Sequence, residues 1–173
     1  MGEKLVVVKD LKLGYEGYFD SQKLYQLIDR FTQERGYDKN DVLHEVKVKE
    51  DGKYIDLDLR PNKSISEYVK FIIRTKISIE KLTKEEIVIE GKTIHINKGK
   101  INITFFGTIE TDYEGQWMSH PRMVFFKTIM DKFVYGHYDK DFKGMIKKDI
   151  MLLKNEISSF LNLHKYTSST QHH

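Results

Sequence analysis

A long apolar stripe near the end of the chain constrains the fold more than any other feature. Phe142, Ile146, Ile150, Leu153, Ile157, Phe160 and Leu161 recur at steps of three and four between Asp139 and about Leu163. That spacing stacks them on one face of a helix of about seven turns. A stripe of this length must be buried against a partner of comparable length. The preceding chain supplies about seven strand-like runs, most alternating apolar and polar, so the expected class is α+β: a curved antiparallel sheet of about seven strands around a long C-terminal helix.

The order of elements follows from local signals. Residues 5–8 and 11–19 read as extended, with Gly14 and Gly17 marking a bulge or bend. Asp20-Ser21 offers an N-cap to an amphipathic helix carrying Leu24, Leu27, Ile28 and Phe31, which Gly36 can end in left-handed geometry. From Val42 the period becomes two. Val46 and Val48 alternate with Lys47 and Lys49, Asp51-Gly52 signals a tight hairpin, and Ile55, Leu57 and Leu59 answer before Pro61.

In the run 69–79, Val69, Phe71, Ile73, Ile77 and Ile79 take the core side, while Lys70, Arg74, Lys76, Ser78 and Glu80 face water. Three further strands are expected at 87–90, 93–97 and 100–112, joined through Gly91-Lys92 and Lys98-Gly99. Gly107 falls among the inward residues Ile101, Ile103, Phe105 and Ile109, where a strand can bend or a ligand approach closely. An extra helix is expected at 121–135, opened by Pro121 and ended at Tyr135-Gly136-His137-Tyr138.

Length favours one domain, residues 1–166, followed by a polar tail at 167–173 whose paired histidines have the pattern of a tag remnant. Net charge is +3, from 29 basic and 26 acidic residues, so there is no strong nucleic-acid signal. The chain has no alanine and 24 lysines to five arginines, a bias that coding in an AT-rich genome produces. It has no cysteine, which removes thiol chemistry, and no apolar run long enough for a transmembrane segment. A cytoplasmic location is the expectation.

No catalytic residue can be assigned. His44, His95, His120 and His137 lack the spacing of a metal site, so neither a metal nor a cofactor is expected. Asp56 and Asp58 lie two apart beside Arg60, where a solvated face paired with lysines is preferred over acid–base chemistry. Asp149 is read with the lysines of the closing helix as another solvated face. Phosphate loops, nucleophile elbows and dinucleotide fingerprints are absent. Tyr113, Trp117, Phe125 and Phe126 crowd the junction after the last strand, which reads as a core corner or as the mouth of an apolar pocket polarised by Tyr113, Glu114 and His120. The broad apolar arc from Met123 to Tyr135 also suits a protein or lipid surface.

Strand, helix, antiparallel strands and a long closing helix, in that order, resemble the helix-grip architecture of the START-related and birch-allergen-like (SRPBCC) superfamily over residues 11–163. The family pattern has two helices between its first two strands, where this chain has one ending at Gly36. It ends in a single helix, where 121–135 is extra here, and Asp51-Gly52 stands in place of its glycine-rich loop. The resemblance implies a cavity between sheet and closing helix. The function expected first is therefore a non-catalytic module holding a hydrophobic or aromatic small molecule through Phe71, Phe105, Tyr113, Trp117, His120, Phe126 and Ile150. The alternative is a protein-interaction or chaperone-cofactor domain with a filled core, and an unrecognised enzyme comes third.

Overall fold

The computed structural model describes residues 3–111 and 139–169. In chain order these form β1 (Glu3–Phe19), α1 (Ser21–Glu34), β2 (Asp41–Lys49), β3 (Gly52–Leu59), β4 (Asn62–Ser64), β5 (Val69–Ile89), β6 (Lys92–Thr111) and α2 (Asp139–Ser169). The class is α+β, with one six-stranded antiparallel sheet. Across the sheet the strands run β1-β6-β5-β3-β2, and the short β4 continues the line of β3 along β5. The expected helix at 121–135 lies outside the described residues.

The strand count differs from the expected seven because separate runs prove continuous, 5–8 with 11–19 in β1 and two further pairs in β5 and β6, while the short β4 is an addition. Residues 69–79 and 87–90 fall along one 21-residue strand, β5, and residues 93–97 and 100–111 along the 20-residue β6. Lys98-Gly99 is no turn. Gly99 pairs instead against a bulge in β5, where Lys81 takes φ 53 and the register shifts between Glu80 and Thr83. A Cβ on Gly99 would lie 3.1 Å from the Glu80 carbonyl, and one on Gly52 2.8 Å from the Lys81 carbonyl carbon, so both glycines admit the bulge. The β5–β6 hairpin turns at Glu90-Gly91, both with positive φ, as a two-residue primed turn requires.

α1 begins and ends as its sequence dictates. The Asp20 carboxylate accepts from the backbone N–H of Gln22 and Lys23, both at 3.0 Å. At the other end Gly36 (φ 77) donates to the Gln33 carbonyl and Tyr37 to that of Thr32, the paired bonds of a Schellman closure.

One core lies on one face of the sheet. Phe71, Ile73, Ile77 and Ile79 of β5 and Ile101, Ile103 and Phe105 of β6 meet Ile146, Ile150, Leu153, Ile157 and Leu161 of α2, with Leu24, Ile28 and Phe31 of α1 alongside. α2 packs mainly over β1 and β6, less over β5 and beside α1. A methyl group at Gly107 would lie 2.6 Å from Ile150 Cδ1, so the missing side chain lets the helix sit down on β6. What approaches Gly107 closely is α2.

Candidate functional site

Three of the residues expected to line a pocket lie in this layer. Phe71, Phe105 and Ile150 belong to one packed cluster, and Phe71 meets Phe142 edge-on at 5.8 Å between ring centres. Tyr113, Trp117, His120 and Phe126 lie outside the described residues. Thr75 also faces the layer, 1% exposed, and among the described residues its hydroxyl has no hydrogen-bond partner. Under α1, the space bounded by Ile28, Thr32, Leu59 and Pro61 amounts to about 10 Å³, room for a single water.

Two polar clusters brace the core from outside it. Asp58 is not solvated. Only 9% of its side chain is exposed, and it accepts from Arg74 Nε (2.9 Å) and from both Nε (3.2 Å) and a terminal nitrogen (2.8 Å) of Arg60. The hydrogen bonds from Arg74 outweigh the opposing desolvation and, with those from Arg60, hold its carboxyl well below the usual carboxylate range. Asp149 of α2 is likewise drawn in, accepting from Arg35 and from the Tyr37 hydroxyl, both at 2.9 Å. Burial, then the charge of Asp149, pushes the Tyr37 hydroxyl pKa far up, so it stays a donor. Neither carboxylate lines the space under α1 or the groove described below. They tie β3 to β5 and α1 to α2.

A larger concavity among the described residues lies elsewhere on the same face, beyond the reach of α2. The cross-strand partners Val46, Ile55 and Ile79 share the core face, but toward β2 no described element covers it: Val46 is 50% exposed and Val48 73%. Here Val46, Ile55, Leu82 and Ile96 line an open groove of about 770 Å³, flanked by Lys53, Lys84, His95 and Asn97 and closed at one end by Asp20, Ser21 and Gln22 at the start of α1.

Asp20 already caps the helix amides, so the head of α1 contributes a carboxylate rather than free N–H donors. Ser21 Oγ donates to Asn97 Oδ1 at 3.2 Å, fixing that wall to β6. His95 stands 3.4 Å from Glu86. Among the described residues neither Lys53 nor Lys84 has an acidic partner within ion-pair distance. No group of three or more His, Asp or Glu among those residues could hold a metal ion.

The groove escaped sequence reasoning because its walls come from five separate elements. Strand register was the available signal: once β3 pairs with β2, Val46 and Ile55 must share a face that α2 is too far away to cover. Comparison with family models, with curated proteins and with solved structures finds no match.

Proposed function

We propose that this protein is a non-catalytic binding module of helix-grip type whose ligand lies in the open groove at the β2–β3 end of the core face. One observation carries the reading: among the described residues, apolar inner-face side chains are left uncovered beside two lysines that no acidic side chain pairs. That combination suits an elongated amphipathic molecule, with its apolar body on Val46, Ile55 and Leu82 and an acidic head at Lys53 and Lys84. The size of the groove supports a small molecule, since ligand sites commonly span about 300–1,000 Å³. The packing of Ile150 onto Gly107 is why the groove, rather than the layer beneath α2, is preferred as the place for a guest.

Calorimetric titration with dodecanoate below its micelle concentration tests this. Saturable binding is expected, weaker for dodecanol and weakest for dodecyltrimethylammonium. Lys53→Glu with Lys84→Glu should reverse that order. Binding that is absent, or indifferent to head-group charge, overturns the proposal. Packing of the described core also favours the second reading, an interaction domain with a filled interior, and that reading survives if no amphiphile binds.

A further inference from the structure

The two edges of the sheet are built differently. β1 carries register shifts after Val6 and Val8, with Asp10 at φ 53, and these break the line of backbone groups it could offer a new strand. β2 pairs without interruption from Leu43 to Lys49, every residue in it is exposed, and among the described residues no strand pairs with its other side. Leu43 and Val46 are 46% and 50% exposed on this edge. A smooth, exposed edge strand carrying apolar side chains is a template for strand addition.

The charges on β2 say what adds to it. Suppose two copies of the strand run antiparallel about a two-fold axis perpendicular to the sheet, which keeps both core faces on the same side. Residues facing each other must then have the same parity, so every allowed register centres on a single residue. Centred on Val46, Glu45 of each copy stands opposite Lys47 of the other, twice. On the opposite face Val46 meets Val46, and His44 meets Val48. Centring on Glu45 or on Lys47 places like charges directly opposite each other, which is destabilising. Within one strand Glu45 and Lys47 already approach to 3.2 Å, both well exposed, so both side chains lie on one face and can turn outward.

We infer that β2 is a self-association edge, pairing antiparallel with β2 of a second copy in the register centred on Val46. Its partner is this chain itself. The two sheets become one, and the second copy's Val46 and Val48 extend the groove floor across the two-fold axis. The inference does not depend on the identity of any ligand.

Because the chain contains no cysteine, Val46→Cys gives a clean probe: mild oxidation should yield a covalent dimer in high proportion, and Val88→Cys should not. In analytical ultracentrifugation the wild type should show a concentration-dependent dimer. Glu45→Lys and Lys47→Glu should each weaken it by about tenfold or more, while an equimolar mixture of the two variants, or the double exchange in one chain, should restore it. Circular dichroism should show both variants folded, since both positions are exposed. A wild type monomeric at every concentration, or a dimer unaffected by either charge reversal, overturns the inference. A monomer that nonetheless binds an extended peptide along β2 would assign the edge to another protein instead.

Discussion

Among single side chains, Asp58 combines near-complete burial with hydrogen bonds from two arginines. Its carboxylate sits on the outer sheet face between Arg60, just past the end of β3, and Arg74 of β5. A carboxyl whose folded pKa is depressed contributes stability above its unfolded pKa, near 4, and loses it as the pH falls toward the folded value. Asp58→Asn should therefore cost about 1.5–3 kcal/mol at neutral pH, the scale of hydrogen bonds to charged groups. The difference from wild type should shrink steadily below about pH 4. Urea denaturation across that range checks both statements, and a cost independent of pH would mean the arginines do not set the titration of Asp58. Neither Asp58 nor Asp149 was legible as a tethered group in the sequence. Each stands in a charge-rich stretch that reads as solvated, and only register brings Arg74 diagonally beside Asp58, or the α1 closure beside Asp149.

At the scale of elements, most of the fold was legible because local chemistry and burial agree. The Asp20 cap, the Gly36 closure, the alternation along β5 and the stripe of α2 occur where the sequence places them, and the β2–β3 hairpin turns one residue earlier than expected, at Glu50-Asp51. Lys98-Gly99 misled because a lysine-glycine pair looks like a turn, while here the glycine accommodates a bulge at Lys81 in the neighbouring strand. Gly107 was read as a point of close approach, and the approaching group is Ile150. Gly107→Ala should destabilise by about 1–3 kcal/mol through overpacking. Ile150→Val, which removes the crowding methyl, should recover part of that loss in a double-mutant cycle. Strict additivity of the two substitutions in thermal denaturation would contradict the seating of α2 on β6.

The described residues divide the core face into two territories: a packed layer beneath α2 over β1 and β6, and a groove toward β2 that none of them covers. Sequence reasoning located the first but not the second, because an apolar alternation reports which face is turned inward and says nothing of whether a helix reaches across to cover it. The helix-grip resemblance expected from the order of elements would imply a guest beneath the helix, and the packing moves the proposed guest sideways into the groove. Methyl-selective NMR during titration with dodecanoate separates the two directly. The account predicts progressive shifts for the methyl groups of Val46, Ile55, Leu82 and Ile96, with those of Ile103, Ile146 and Ile150 unmoved. Shifts centred on Ile146 and Ile150, with Val46 and Ile55 silent, would contradict it.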